Sequence, residues 1–120
     1  MSSDQPSIAV LPFLNLSGDP EQAYFSDGIT EDIITELSRF PELVVIARTS
    51  SFTYKDQPTT IEQVAEQLGV QFVLEGSIRR SESMIFVSVQ LIDALSGAHV
   101  WAERYDLSAQ TWAPDKASIS

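Results

Sequence analysis

The stretch Ser7-Ile8-Ala9-Val10-Leu11-Pro12-Phe13-Leu14 is apolar at every position after the serine, with no alternation between faces. A run of this kind reads as a strand covered on both sides, and so as the centre of an α/β sheet. Pro12 has no amide hydrogen to give to a ladder and is expected to end the strand, with Asn15 to Asp19, including Gly18, forming a polar turn. Asp19-Pro20-Glu21-Gln22 combines an N-cap aspartate, a first-position proline and a glutamine three residues after the cap. It predicts a short helical turn over Pro20 to Tyr24. From Gly28 to Phe40, Ile29, Ile33, Leu37 and Phe40 recur at helical spacing, predicting a main helix that Pro41 stops.

Outward from that core, Leu43-Val44-Val45-Ile46-Ala47 reads as a second strand, and Arg48 to Pro58 as a loop carrying Phe52 and Tyr54. Thr59-Thr60-Ile61-Glu62 has the spacing of a capping box. Ile61, Val64, Ala65 and Leu68 share one helical face, and Gly69 stands where a left-handed cap belongs. Three alternating stretches follow: Val70 to Arg79, Ile85 to Leu91, and Ala98 to Tyr105. They are joined by turns at Arg80-Ser81-Glu82-Ser83 and Asp93 to Gly97. The order β-α-β-α-β-β-β, with right-handed crossovers, predicts one five-stranded mixed α/β sheet of order 2-1-3-4-5 with strand 4 antiparallel. Placing one helix on each face covers the first strand twice, as its sequence asks. The rival order 1-2-3-4-5 leaves half of that strand wet.

Composition narrows the chemistry. The chain has 120 residues, no cysteine and one histidine, His99, which excludes disulfides, thiol nucleophiles and thiolate metal sites and leaves imidazole without a partner. A net charge of −10 is opposite to the footprint of a phosphate-backbone reader, so no nucleic-acid partner is expected. The longest apolar run falls well short of the ~20 residues of a membrane span, and no membrane insertion is expected. Asp27, Glu31, Asp32 and Glu36 form i,i+4 carboxylate pairs on the main helix, which read as a solvated face before they read as acid/base or cation-binding groups. No metal site and no cofactor are predicted, and no catalytic residue is assigned.

Two candidate sites remain. The loops after the first two strands lie where open α/β sheets hold ligands, and Arg48, Ser51, Tyr54 and Lys55 gather basic, hydroxyl and aromatic groups that suit a small anionic metabolite. The last two strands carry Met84, Phe86, Ile92, Val100, Trp101 and Tyr105, more apolar surface than two short helices cover. These side chains either complete the core or form an interface, with Phe86, Trp101 and Tyr105 as its anchors.

Ser7 to Phe13, Ser17-Gly18-Asp19-Pro20-Glu21-Gln22, Tyr24 to Asp32, Ile46-Ala47-Arg48, Ser51 to Lys55, Leu74-Glu75-Gly76-Ser77 and Trp101 to Asp106 together resemble the bacterial TolB-like amino-terminal domain, over about Pro6 to Asp106. The resemblance implies a five-stranded mixed sheet like the anticodon-binding domain. It also implies a non-catalytic regulatory or protein-interaction module within multidomain signalling proteins, beside a class III nucleotide cyclase or winged-helix domain and tetratricopeptide repeats. Its expected partners are a second copy, as a homodimer, or neighbouring domains of the parent protein. Asp27-Gly28 and Glu75-Gly76 are expected to mark a turn and a strand bulge. Residues 1–5 and 107–120 are expected to be flexible termini around a domain at 6–106, and past Asp106 the sequence departs from the family pattern. Cyclase-linked relatives favour the bacterial cytoplasm, and winged-helix-linked ones the periplasm.

Overall fold

The computed structural model describes residues 5–17, 20–55, 57 and 59–108. The expectations for Gly18, Asp19, residues 1–4 and residues 109–120 lie outside the described residues. The sheet runs β3-β1-β4-β5-β6, with β2 pairing β4 off that path. Its strands are β1 (Ser7–Val10), β2 (Leu14–Asn15), β3 (Val44–Val45), β4 (Phe72–Ser81), β5 (Met84–Asp93) and β6 (His99–Ser108). β1 pairs in parallel with β3 and β4, while β5 is antiparallel to both β4 and β6. This is the order read from the sequence, with one strand more.

The extra strand comes from Pro12. Val10 stands opposite Leu74 and Leu14 opposite Ser77, so four steps on one strand meet three on the other. Pro12 gives no amide to the ladder, and the Phe13 amide turns away from β4 to donate to Thr30 Oγ1 at 2.9 Å. The chain then rejoins β4 as β2, with the Leu16 amide donating to the Ile78 carbonyl. The expected single strand is thus two segments around a one-residue irregularity.

Both faces of β1 are buried. Ile8 and Val10 pack with Phe13, Ile34, Leu74, Ile78 and Val87 under α1 (Pro20–Leu37). Ala9 packs on the other face with Val64, Ala65, Val70 and Val73 under α3 (Ile61–Leu68). The expected turn and main helix form one continuous α1, and Asp27-Gly28 lies inside it rather than at a turn. The helix ends at Leu37, leaving Phe40 exposed. Past Ser38 the bonds tighten to three-residue spacing, with the Arg39 and Phe40 amides donating to the Glu36 and Leu37 carbonyls, and Pro41 disfavours helical geometry at Phe40. The capping box of α3 stands one residue later than the sequence spacing suggested, with Thr60 and Gln63 exchanging bonds of 3.1 Å, and Gly69 caps the helix at φ 68°.

A β-carbon at Gly28 would meet nothing within 4 Å. Gly28→Ala removes backbone freedom from the unfolded chain without a steric cost, and should raise the unfolding free energy by about 0.5–1 kcal/mol in a urea titration.

Candidate functional site

At the carboxyl end of β1, a cavity of about 540 Å³ is lined by Leu11 to Leu16, Ser26, Asp27, Tyr54, Lys55, Val64 and Glu75 among others. α1 is tied to this end of the sheet by Thr30, whose hydroxyl accepts from the Phe13 amide and donates to the Ser26 carbonyl at 2.9 Å. The expected loop over residues 48–58 holds two turns of helix instead: α2 (Arg48–Ser51) and a 3-10 turn (Phe52–Tyr54).

Those turns separate the proposed anion ligands. Lys55 Nζ pairs with Asp27 Oδ2 at 2.5 Å, and Arg48 Nε with Glu31 Oε2 at 3.0 Å. Arg48 also lies over the Phe52 ring, 4.3 Å from its centroid. Tyr54 donates its hydroxyl to Gln67 Oε1, and Ser51 is fully buried. Tyr54 and Lys55 line the cavity, whereas Arg48 and Ser51 are not among its described lining residues. Asp27 and Glu31, one helical turn apart, thus staple α1 to the segment that follows β3. Sequence reading placed these carboxylates on a solvated face because their cationic partners lie far along the chain. Asp27 Oδ1 is buried without a hydrogen-bond partner.

The second candidate region divides by face. Ile92 is buried in the core, as one of the two readings of this region held. Phe86 is half-buried, with the guanidinium carbons of Arg79 and Arg104 at 4.8 and 5.3 Å from its ring centroid. In the β5-β6 register Trp101 stands opposite Leu91, Glu103 opposite Val89 and Tyr105 opposite Val87, whereas Phe86 stands opposite Asp106. Successive side chains point to opposite faces, so Trp101 and Tyr105 share a face and Phe86 lies on the other. The three do not form one patch.

β6 itself is the unusual element. Every residue of it from His99 to Asp106 is exposed, including Val100 at 55%, Trp101 at 43% and Tyr105 at 45%. The register slips by one residue between Leu91 and Ile92, so Val100 is left without a direct partner on β5. Among the described residues only β5 pairs with β6, whose outer edge offers a row of free amides and carbonyls. The opposite edge, β3, is two residues long. The sheet therefore has one brief edge and one open edge of ten residues.

The chain is 61% identical over 102 residues to the Rhizobium meliloti (strain 1021) protein named "Putative adenylate cyclase 3", a match covering 85% of this chain and 17% of that protein. The chain thus spans about a sixth of that relative. Its fold is that of the lipoprotein GNA1162 from Neisseria meningitidis, with TM-score 0.70 and 18% identity over 94% of this chain and 88% of that one. TolB from Acinetobacter baumannii matches with TM-score 0.60 and 19% identity, over 89% of this chain and 24% of that one, which carries the TolB likeness at the level of fold. The family model described as HilA/YgeH-like transcriptional regulator, second domain, matches residues 3–118, and the chain belongs to that family of regulator domains.

Proposed function

We propose that this chain is a protein-interaction module of a larger bacterial signalling protein, and that β6 is its contact strand, taken in the isolated chain by a second copy. The observation that carries the reading is the long open edge of β6, with Val100, Trp101 and Tyr105 exposed along it. Edges of this length are ordinarily shortened, covered or broken by proline. Membership in a family of second domains, and a close relative of which this chain spans 17%, support a module working beside other domains. The resemblance noted in the sequence suggests a nucleotide cyclase or winged-helix domain and tetratricopeptide repeats as that company, and a cytoplasmic seat for the cyclase-linked form. Sedimentation equilibrium on the chain and on Trp101→Ala tests the reading. A reversible dimer is expected, weakened about tenfold or more by the substitution, as for an aromatic anchor at an interface. A monomer at every concentration would overturn it.

A second reading, sensing of a small anionic metabolite, is favoured by the cavity beyond the carboxyl end of β1, which Tyr54 and Lys55 line. An anion reaching Lys55 has to displace Asp27 from it. A thermal-shift screen with nucleotides, sugar phosphates and carboxylates should raise the melting temperature for one class, because a ligand that prefers the folded state stabilises it. No shift with any class removes this reading.

A further inference from the structure

Resting on the second reading above, that the cavity beyond the carboxyl end of β1 receives an anion at Lys55, we infer that its ligand is an α-amino acid with an apolar side chain. The choice follows from the charges on the cavity wall. Among the described lining residues the charged side chains are Asp27, Lys55 and Glu75, two carboxylates against one ammonium. Lys55 Nζ is held by Asp27 Oδ2, and Glu75 accepts a hydrogen bond from Gln90 Nε2 at 2.7 Å. An anion with no cation of its own takes Lys55 from Asp27 and leaves both carboxylates without a counter-charge, which opposes binding. Asp27 is poorly placed to bear that loss, because its second oxygen, Oδ1, is already buried without a hydrogen-bond partner. A simple amine meets the converse penalty at Lys55.

An α-amino acid avoids both. Its ammonium and carboxylate sit on one carbon, side by side as Lys55 and Asp27 are, so the ammonium takes up the Asp27 carboxylate as the ligand carboxylate takes Lys55. A zwitterion with its charges several carbons apart cannot match a pair in contact. The rest of the wall selects the side chain. Leu11, Leu14 and Leu16 line the same cavity, and Leu14 and Leu16 are more than half exposed. Small-molecule sites combine such apolar walls with a few placed polar groups, and about 540 Å³ accommodates one amino acid. With Glu75 included the wall is negative overall, which disfavours an acidic side chain on the ligand.

Calorimetric titration of the chain with leucine, its α-hydroxy acid analogue and the amine left by its decarboxylation tests the inference, since the analogues lack the ammonium and the carboxylate in turn. Leucine is expected to bind, and each analogue to bind at least about tenfold more weakly. A hydroxy acid that binds as tightly as leucine would overturn the inference and leave the anion reading standing. An amine that binds as tightly would overturn both, since the carboxylate then contributes nothing. Absence of binding by leucine, methionine and phenylalanine alike would overturn the inference, and the wider screen of nucleotides, sugar phosphates and carboxylates then decides the anion reading on its own. Asp27→Asn gives a second readout, because it frees Lys55 and removes the charge that meets the ammonium. It should reverse the order, with the hydroxy acid binding more tightly than leucine. An unchanged preference for leucine in a folded Asp27→Asn chain would contradict the inference.

Discussion

Gly76→Ala is expected to lower the unfolding free energy by about 2–3 kcal/mol, the upper range for forcing extra volume into a packed site. Gly76 lies inside β4 opposite Val89, in unbroken register, so it is not the bulge the sequence suggested. A β-carbon there would overlap the Ser88 carbonyl oxygen and sit 2.5 Å from Phe13 Cε2. The Phe13 ring lies over the glycine and roofs the β4-β5 pair, which is how the irregular turn after β1 stays packed. For a domain of this size the loss corresponds to a fall in Tm of roughly 10–20 °C. The same glycine-to-alanine change at Gly28 carries the opposite sign, so the pair of variants separates steric overlap from chain entropy. A Gly76→Ala variant within ~0.5 kcal/mol of the parent in a urea titration would show that Phe13 does not occupy this place.

Thr30→Val is the second large effect. Thr30 is fully buried, and its hydroxyl is both the acceptor for the Phe13 amide and a donor to the Ser26 carbonyl. Valine keeps the shape and removes both bonds, leaving a buried backbone amide unsatisfied at a cost of about 1–3 kcal/mol. Thr30→Ser keeps the hydroxyl and should retain most of the stability. The m-value should be unchanged in both variants, as the same surface unfolds. Equal stability of Thr30→Val and the parent would contradict the role given to this bond.

The central strand was legible because Ile8 to Leu14 is apolar on both faces, and that fact with crossover handedness sets the sheet order. Gly69 and the face Ile61, Val64, Ala65, Leu68 were legible for the same reason: local chemistry determines a cap and a stripe. What was not legible depends on partners distant in sequence. Nothing near Thr30 announces that it receives the amide which Pro12 forces off the ladder, 17 residues earlier. Nor does Asp27 announce Lys55, 28 residues on. The helical turns at Arg48 to Tyr54 were hidden because the segment is polar and short, and its folding leans on Arg48 reaching both Phe52 and Glu31.

For the interaction strand, alternation in β5 and β6 showed which residues share a face but not which face the helices cover. α1 covers Val87 and Val89 of β5 without burying the β6 residues opposite them, so the two sides of one ladder differ in exposure. His99, the one imidazole, stands exposed at the start of that strand.

The most direct measurement is amide hydrogen exchange along both sheet edges as the protein concentration is raised, since exchange reports the pairing of each backbone amide. The account predicts that amides of β6 on the side away from β5 slow as concentration rises, while that of Val45, which faces away from β1 on the opposite edge, does not change. Exchange in β6 that is fast and independent of concentration would contradict the claim that this strand is where the chain meets a second copy.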